Sequence, residues 1–533
     1  MNNSDLIVAT LRKVGIRQGF GIPSGNVLPL LDAMRRGGID FVLTAHEGSA
    51  GFAAEASGRM TGVPGLCIAT LGPGATNLAT GVGSAFLDRS PLIAITCNLN
   101  CDQLGRRLQM SIDHHALFRP IAKATLPLRP GNIAATLTDA IRTALSEPQG
   151  PVHLDLPEDV ALDETREAIP EIPGGARLGV PDDAVLAAAY ERLAQARRPV
   201  AVLGADARRM RNPMLLRRFV ERHKIPFATT TMAKGLIDED HAVSLGCIER
   251  ACRQVQRQFL RQADLVIGLG YDTVEAEYES WIGEVPLLHF GLEPADTNGK
   301  VAIAWQVIGD LDAVIDDLVL RPPLHPSWRD EEFAEHRARF NAALRPRVNA
   351  FAPHQAIDAV RAALPADGIL SFDVGAHTHQ IASQWIAHGP RSFLITNGWS
   401  SMGFGLPAAI AAKLAAPDRP SVCILGDGCF QMTCGELAVA KRIGGALPVV
   451  VLDDGWLSLI QVKQARRNFP IYGTDLGSTK DEAPLTHYFG VPVIAVQDAP
   501  SLRAAVTQAL AVDHPVVIEA RVDGSHYMTT VYD

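Results

Sequence analysis

Two acidic turns each follow an apolar run of the length of a buried strand. Val422–Leu425 precedes Gly426-Asp427-Gly428, and Pro448–Leu452 precedes Asp453-Asp454-Gly455. A segment rich in helix-forming residues, Thr433–Ile443, separates the two turns. This order of strand, helix and strand predicts a βαβ unit whose strands are parallel neighbours. Both turns are then expected at the carboxyl edge of the sheet, where open α/β sheets bind ligands.

The chemistry that such an edge could perform is metal and phosphate binding. Asp427 and Asp454 offer the one or two carboxylates that Mg²⁺ takes from a protein when phosphates and water complete its shell. The N–H groups of Gly428 and Cys429 can face a phosphate at the start of a helix. A βαβ unit with acidic tips and no ligand is the alternative, and the second acidic pair at this spacing favours a metal–diphosphate site.

This motif resembles the signature of thiamine-diphosphate enzymes, in which GDG is followed, after roughly two dozen residues, by Asn-Asn or Asn-Asp. Asp453 departs from the usual Asn, whereas Asp454 keeps an oxygen ligand at the family's metal position. The resemblance implies thiamine diphosphate and Mg²⁺ as cofactors, with Asp427, Asp454 and Trp456 at the metal. The other residues that it assigns to the cofactor here are Gly426, Gly428, Cys429, Leu457 and Leu459.

A second candidate group is Glu47, which follows a predicted strand and opens a helix of small residues. A first-turn carboxylate that complements the helix dipole would explain Glu47 in isolation. The family, however, has a Glu in this His-Glu setting, followed by a Gly-Pro-Gly loop such as Gly72-Pro73-Gly74, and this Glu shifts the aminopyrimidine of the cofactor to its imino tautomer. The resemblance therefore implies a catalytic Glu47 and adds as cofactor-binding residues Pro23, Thr70, Pro73 and Asn77.

Two later loops resemble further cofactor contacts of the family. Ser371–His377 matches a diphosphate-contacting loop, and Asn397–Pro407 matches the loop between the pyrimidine and thiazolium rings. In the family, a bulky residue at the Met402 position supports the bent cofactor, and the main-chain carbonyl at the Ser400 position accepts from the aminopyrimidine. The cofactor-binding residues implied are Gly375, Ala376, His377, Ser400 and Met402.

The segment Gln109–Lys123 resembles a substrate loop of catabolic acetolactate synthases. The Gln near their reacting centre falls on Met110, whereas benzaldehyde lyases have a Gln at the Gln109 position. We therefore expect Gln109 to be catalytic. The expected substrate-pocket residues are Ser24, Met110, His114 and Leu459. His114 and His115 could be acid/base groups, although a histidine pair is more often found at a surface or in packing.

Bulk composition excludes several classes of function. The 533 residues are 47% hydrophobic and 20% charged, with a net charge of −9 and a pI near 6.0, which argues against nucleic acid or an anionic membrane as partner. The sequence has no uninterrupted apolar run of about 18 residues, so we expect no membrane span. The N-terminus has no apolar signal core. Eight scattered cysteines without a CxxC pair favour reduced thiols and a cytoplasmic protein.

Alternating strands and helices predict an α/β protein with three parallel-sheet domains. Breaker-rich connectors place an N-terminal pyrimidine-binding domain at 1–165, a central Rossmann-like domain at 185–320 and a C-terminal diphosphate-binding domain at 345–533. The glycine turn Gly268–Asp272 is weak evidence for a dinucleotide, and the central domain resembles that of catabolic acetolactate synthases, which lack FAD. We therefore expect no FAD.

The resemblance leaves three hypotheses for the function. The first is decarboxylation of a pyruvate-like 2-keto acid with ligation of the resulting carbanion to a second carbonyl, as in acetolactate synthases. The second is decarboxylation alone, or 2-hydroxy ketone cleavage as in benzaldehyde lyase. The third is a cofactor-binding paralogue without turnover, against which Glu47, Asp427 and Asp454 argue. Gly48 and Met110 depart from acetolactate synthases and leave the first two open.

The resemblance also implies the assembly and the class of substrate. In the family, the residues corresponding to Glu47 and Asp427 meet across a subunit boundary, so we expect a homodimer or homotetramer. The expected pocket is mostly apolar, and no Arg or Lys cluster lies in these motifs. These features favour a small 2-keto acid or aldehyde substrate over a phosphorylated or CoA-linked one.

Overall fold

The protein contains three α/β units, each built on its own sheet. The computed structural model describes residues 1–172, 174–276, 278–477 and 485–531. Pro173 of the predicted first connector and the last two residues of the predicted third domain lie outside this part. The sheets have six, six and seven strands, and parallel pairing dominates all three. This architecture confirms the predicted fold class.

The first unit is a wholly parallel sheet with helices on both faces. Its strands are β1 (Gln18–Gly21), β2 (Asp40–Leu43), β3 (Gly65–Thr70), β4 (Leu92–Asn98), β5 (Ala124–Pro127) and β6 (Pro151–Pro157). Its helices are α1 (Asn3–Val14), α2 (Leu28–Gly37), α3 (Glu47–Thr61), α4 (Pro73–Leu87), α5 (His114–Phe118), α6 (Ile133–Leu145) and α7 (Glu158–Leu162). The strand order is β2-β1-β3-β4-β6-β5. Because all these strands are parallel, their carboxyl ends lie together at one edge of the sheet.

The second unit repeats the parallel architecture. Its strands are β7 (Pro199–Leu203), β8 (Phe227–Thr230), β9 (Ser244–Ile248), β10 (Leu265–Leu269), β11 (Leu287–Gly291) and β12 (Ile303–Ile308), in the order β12-β11-β10-β7-β8-β9. Its helices are α8 (Asp183–Gln195), α9 (Met214–His223), α10 (Arg253–Leu260), α11 (Tyr278–Ile282) and α12 (Leu311–Leu320). Helix α13 (Asp330–Leu344) then leads to the third unit.

The third unit carries the two acidic turns. Its strands are β13 (Ile369–Phe372), β14 (Phe393–Leu394), β15 (Ser421–Gly426), β16 (Leu447–Asp453), β17 (His487–Tyr488), β18 (Val491–Val496) and β19 (Pro515–Arg521). Its helices are α14 (Pro353–Ala363), α15 (Ala376–Gln384), α16 (Gly405–Ala415), α17 (Asp427–Thr433), α18 (Glu436–Ile443), α19 (Ser458–Arg466), α20 (Ala499–Leu510) and α21 (Tyr527–Thr530). The order is β14-β13-β15-β16-β19-β18-β17, and only the β17–β18 pairing is antiparallel among the described strands.

The predicted βαβ unit is present, with one local difference. Strands β15 and β16 are parallel neighbours, as predicted. The helical segment, however, begins at Asp427, directly before the Gly428 that was expected to open it, and it breaks into α17 and α18 around Gly435. The chain leaves β15 directly into a helix, so the predicted tight glycine turn was wrong. Asp427 is therefore the first residue of a helix, where the helix dipole favours a negative charge.

The first and third units pack together through helices of small residues. Helix α3 lies against both α4 and α16. A Cβ atom on Gly51 would come within 2.7 Å of the Cα of Gly81, so the α3–α4 crossing requires glycine. Phe52 and Phe404 stack edge to face with ring centroids 5.8 Å apart. Among the described residues, no helix is both long and apolar enough to cross a membrane.

Candidate active site

The two carboxylates of the acidic turns lie at adjacent strand ends and are fixed by backbone donors. Gly426 of β15 pairs with Leu452 of β16, which brings Asp427 beside Asp454. Asp427 Oδ2 accepts a hydrogen bond of 2.8 Å from the N–H of Gly455. Asp454 Oδ1 accepts one of 3.0 Å from Trp456 N, and its Oδ2 accepts one of 2.5 Å from the hydroxyl of Ser458. The second turn thus orients Asp427 through Gly455 and holds its own Asp454.

The charges at this edge favour a bound cation. Burial, and then repulsion from Asp454, raise the pKa of Asp427 to about 8. A divalent cation between the two groups would offset both effects, because it favours the ionised form of each carboxylate. Carboxylate oxygens at the mouth of a pocket are the donor set that Mg²⁺ takes from proteins. These residues therefore fit the metal that the sequence predicted.

A cavity of about 290 Å³ opens directly in front of the two carboxylates. It is lined by residues that the resemblance assigned to the cofactor: Gly375, Ala376, His377, Ser400, Met402, Gly426, Asp427, Gly428, Cys429, Asp454, Trp456, Leu457 and Leu459. His377 is buried, and its Nε2 has no hydrogen-bond partner in the described part of the chain. Burial lowers the pKa of His377 to about 4, so its ring is neutral. An unpaired polar nitrogen in this position fits a ligand in the cavity.

The loop between β14 and α16 is held by Asp373, a residue that the sequence did not single out. This fully buried carboxylate accepts hydrogen bonds from the N–H groups of Gly403 and Gly405. Ser400 has φ +54, an uncommon conformation for a residue with a side chain. The Met402 methyl lies opposite Gly428, where an added Cβ would approach it to 3.4 Å. The loop therefore presents Met402 to the cavity.

Lys463 and Tyr527 also line this cavity, although the sequence interpretation had not assigned them to it. Tyr527 is only 3% exposed, and its hydroxyl has no hydrogen bond to any described residue. Burial, and then Asp454 and Asp427, raise the pKa of Tyr527 well above its ordinary value, so the phenol keeps its proton. Lys463 lies on α19 and adds a positive charge. Both groups suit an anionic ligand such as a diphosphate.

The first sheet gathers a second set of predicted residues at its own carboxyl edge. Glu47 is the first residue of α3, is 8% exposed and accepts a hydrogen bond of 3.1 Å from Asn77 Nδ2. Ser24 donates to the Thr70 hydroxyl at 2.5 Å. A Cβ on Gly74 would lie 3.4 Å from Glu47 Oε1, which places the Gly-Pro-Gly loop against the carboxylate. Pro23 precedes Ser24, and Pro73 begins α4.

The predicted substrate loop reaches this edge through Met110. Gly72 has φ +60, and a Cβ there would lie 2.5 Å from the backbone oxygen of Met110. Met110 itself has φ +63 and is 38% exposed. Gln109 is exposed beside it, with no hydrogen bond from its side chain in the described part. The structure thus places Met110 against the loop and leaves Gln109 at the surface of one chain.

His114 lies beneath the Gly-Pro-Gly loop rather than on an open surface. It is buried, and its Nδ1 is 3.0 Å from Asp155 Oδ1. Its Nε2 accepts a hydrogen bond of 3.4 Å from Gly72 N. Asp155 and Thr96 connect it to His153, whose pKa burial lowers to about 3. His115 is partly buried and bonded to a threonine hydroxyl. These contacts give His114 a bracing position under the loop.

The two sets of residues lie at different sheet edges of the chain. Among the residues that the structure describes, those that line the cavity at the third sheet all lie from position 374 onward. Glu47 and the Gly-Pro-Gly loop border no part of it. What joins the units near Glu47 is Glu436, whose Oε1 accepts hydrogen bonds from the N–H groups of Ala45 and His46. One chain therefore presents two half-sites, one around the buried carboxylate of Glu47 and one around the paired carboxylates of Asp427 and Asp454.

Comparison with known proteins matches each of the three units to a domain of one family. Residues 1–117 match the thiamine pyrophosphate enzyme N-terminal TPP binding domain, 186–318 match the central domain and 373–520 match the C-terminal TPP binding domain. The chain belongs to the thiamine pyrophosphate enzymes. The matched order confirms the family, and with it a thiamine-diphosphate-dependent enzyme, as predicted from the sequence motifs.

The chain is also similar to individual family members over nearly its whole length. It is 31% identical to the acetolactate synthase large subunit of Parasynechococcus marenigrum, over 97% of this chain and 86% of that protein. It is 30% identical to acetolactate synthase isozyme 2 large subunit of Escherichia coli, over 98% and 96%. It is 32% identical to the probable 2-ketoarginine decarboxylase AruI of Pseudomonas aeruginosa, over 97% and 93%. The predicted resemblance to acetolactate synthases is thus confirmed.

Proposed function

We propose that this thiamine pyrophosphate enzyme decarboxylates a pyruvate-like 2-keto acid and joins the remaining two-carbon unit to a second carbonyl, as an acetolactate synthase does. The observation that carries the proposal is the pair Asp427 and Asp454 in front of a cavity with Met402 opposite Gly428. The similarity to acetolactate synthases over almost the entire chain supports the reaction type.

The residues of the third-sheet cavity fit thiamine diphosphate and Mg²⁺. Asp427, Asp454 and Trp456 would hold the metal, and the amides that open α17 would face the diphosphate. Tyr527 and Lys463 add a hydroxyl donor and a positive charge. When bound, the cofactor supplies the nucleophilic carbon and the electron sink for decarboxylation of a keto acid.

The chain's own residues have positioning and proton-transfer roles. Met402 supports the ligand from one side, and Ser400, whose φ is +54, also lines the cavity. Glu47 holds or delivers a proton, and Asn77 fixes one of its two oxygens. Burial of Glu47 keeps water from competing for that proton. We retain the prediction that Gln109, in the substrate loop, is a catalytic residue.

The active unit is a homodimer or homotetramer. Within one chain, Glu47 and the cavity in front of Asp427 belong to separate edges, and a second copy supplies the missing half in each case. Closed two-fold symmetry would complete two sites at once. Analytical ultracentrifugation with and without cofactor tests this assembly, and an active monomer would contradict it.

A second candidate function is decarboxylation or 2-hydroxy ketone cleavage without acetolactate formation. The similarity to a probable 2-ketoarginine decarboxylase favours it, as do Gly48 and Met110, which make the pocket less polar than that of acetolactate synthases. Incubation of the holoenzyme with pyruvate separates the two functions. Acetolactate as the product supports the first, acetaldehyde the second, and acetoin formed directly from acetaldehyde a lyase.

The central unit carries no FAD in our proposal. A Cβ on Gly270 would approach Ala207 N to 2.5 Å, so this strand-end glycine serves close packing. The carboxylate of Glu275 accepts hydrogen bonds from the N–H groups of Ala205 and Met232. Those amides follow the ends of β7 and β8, where a dinucleotide phosphate would need free donors.

The proposed domain boundaries and location follow the sequence interpretation. Each proposed range, 1–165, 185–320 and 345–533, contains one whole sheet. We propose a cytoplasmic protein, in agreement with its scattered cysteines. Its substrates are small 2-keto acids or aldehydes, with neither nucleic acid nor membrane as partner. Limited proteolysis that cuts near 166–185 and 321–350 would support the boundaries.

A further inference from the structure

A second large cavity opens at the first sheet, separate from the diphosphate cavity. It has a volume of about 850 Å³ and lies at the carboxyl ends of β4, β5 and β6, where Asn98, Pro127 and Pro157 line it. Residues of the following loop, 101–113, form one side. No described residue lines both cavities. The position is one where open α/β sheets bind ligands.

Three arginines line this cavity, Arg106, Arg119 and Arg129. All three are exposed, and none forms an ion pair with a carboxylate anywhere in the described part of the chain. By contrast, Arg89 pairs with three carboxylates at the boundary between the first two units. Three unneutralised guanidinium groups around one concave surface attract anions, and their planar forks match carboxylate and phosphate oxygens.

The two carboxylates that line the cavity are already engaged by the protein. Asp113 Oδ1 accepts from the N–H of Ala116 and caps α5. Asp155 accepts from His114 and Asn98. Burial opposes ionisation of Asp155, but these hydrogen bonds hold its pKa below the ordinary value, so its charge is compensated inside the protein. The positive charge of the arginines thus remains for a ligand.

The cavity is connected to the catalytic edge by direct contacts. Its lining includes His114, whose Nε2 accepts from Gly72 N. The loop on its side also carries Met110, whose backbone packs on Gly72. Ser111 adds a hydroxyl donor within the cavity, whereas the Thr125 hydroxyl is already bonded to His115 and His153. A ligand there would touch the same elements that place the Gly-Pro-Gly loop beside Glu47.

We propose that this cavity binds a small anion with a carboxylate or phosphate group through Arg106, Arg119 and Arg129. The anion has two possible sources. It is either the acidic substrate, held before it enters the active site, or a free effector such as inorganic phosphate. Only the first source rests on the proposed function, since anion binding itself does not depend on the reaction.

The first experiment measures anion binding by the holoenzyme. Inorganic phosphate is titrated at constant ionic strength, and the melting temperature is followed for the parent, for Arg106→Gln and for Arg119→Gln combined with Arg129→Gln. Arg107→Gln is the matched control, because Arg107 is the exposed neighbour of Arg106 and does not line the cavity. We expect phosphate to stabilise the parent and the control equally and the other variants much less. A parent that does not respond, or equal responses in all variants, would overturn the proposal.

The second experiment separates the two sources of the anion. KM and kcat for pyruvate are measured without phosphate in the same four proteins. If the substrate is the anion, the cavity variants raise KM about three- to tenfold, the scale of a lost charge-assisted contact, with kcat little changed. If an effector is the anion, KM stays at the parental value and the effect of phosphate on the rate disappears. Absence of any keto acid turnover would refute the proposed function but leave the phosphate titration intact.

Discussion

The carboxyl edges of the first and third sheets both bear cavities, but they are constructed differently. At the third sheet, Asp427 and Asp454 come from one βαβ unit, and a short motif places them. At the first sheet, the arginines come from a loop, from the residue after α5 and from the residue after Leu128, with no motif in common. In our proposals, the first arrangement binds a resident cofactor and metal, whereas the second binds a diffusing anion at an open surface. A short sequence motif thus accompanies the site proposed for a permanently bound cofactor, and no such motif accompanies the site proposed for an exchanging anion.

The carboxyl edges of the two sheets also differ in the direction in which the protein shifts the pKa of their carboxylates. At the third sheet, burial and mutual repulsion raise the pKa of Asp427 to about 8, which a bound cation would reverse. At the first sheet, hydrogen bonds hold the pKa of Asp155 down, and the network is complete without a ligand. The third-sheet edge therefore depends on its ligand for electrostatic balance, and the first-sheet edge does not.

The largest effect on stability in the presence of cofactor is expected from Asp454→Ala, which removes one of the paired carboxylates. At about 100 times Kd, cofactor binding adds about 2.7 kcal/mol to the free energy of unfolding, and this gain should vanish in the variant. Differential scanning fluorimetry with thiamine diphosphate and Mg²⁺ measures it. Asp453→Asn, which introduces the family's usual residue, is the control. An equal rise in melting temperature for Asp454→Ala and the parent would contradict the metal site.

Glu47→Gln tests the other half-site. The amide keeps the size of the side chain and an oxygen for Asn77, but it cannot carry a proton. We expect kcat to fall by roughly 10²–10⁴-fold, the range of general acid–base groups. Stabilisation by the cofactor should stay close to parental, unlike in Asp454→Ala. Exchange of the thiazolium C2 proton with deuterated water, followed by NMR, gives the direct readout, and a parental exchange rate would exclude the role.

Leu459→Ala should change the choice of substrate without removing the cofactor. Leu459 lines the third-sheet cavity and packs beside Val462 and Tyr527. The enlarged pocket should shift relative kcat/KM toward bulkier keto acids by about 1–3 kcal/mol. The measurement compares pyruvate with a longer 2-keto acid. An unchanged ratio would mean that Leu459 does not contact the substrate.

Tyr527→Phe removes only a hydroxyl from the same cavity. If this donor contacts the diphosphate, its loss should weaken cofactor binding by about tenfold, since hydrogen bonds to charged groups contribute about 1.5–3 kcal/mol. Tyr271→Phe is the control, because it deletes the hydroxyl that donates to Ala276 O in the second unit. Isothermal titration with thiamine diphosphate at saturating Mg²⁺ provides the affinities. Equal affinities in both variants would leave Tyr527 with a packing role only.

The smallest effect, no change in the melting temperature, is expected on addition of flavin. Because Glu275 occupies the amides at the ends of β7 and β8, added FAD should leave the melting temperature unchanged. The purified protein should also show no absorbance band near 450 nm, roughly where oxidised flavin absorbs as a matter of general chemistry. Stoichiometric flavin release on denaturation would overturn the proposal and would indicate a donor set other than these amides.

Most of the third-sheet cavity could be predicted from the sequence, because its residues are local to strand ends. A βαβ crossover returns consecutive strand ends to one edge, so Asp427 and Asp454 had to meet there. The turn predicted at Gly426-Asp427-Gly428 is instead the start of α17, because a glycine turn and a helix that begins at the strand end share the same residues. Asp373 was missed although it lies within Ser371–His377, a segment that resembles a diphosphate-contacting loop. Its signal, a buried carboxylate after an apolar run, differs little from an ordinary turn.

What the sequence determined was therefore the family, the order of the three units and the residues that chain geometry alone brings together. Only the tertiary structure decided which residues from distant parts of the sequence line the same cavities. Tyr527 reaches the cavity from the far C-terminal region, and Arg106, Arg119 and Arg129 converge without any fixed spacing. His114, predicted in the substrate pocket, braces Gly72 from below. Such contacts depend on how whole elements pack, and packing geometry leaves no periodic pattern in the sequence.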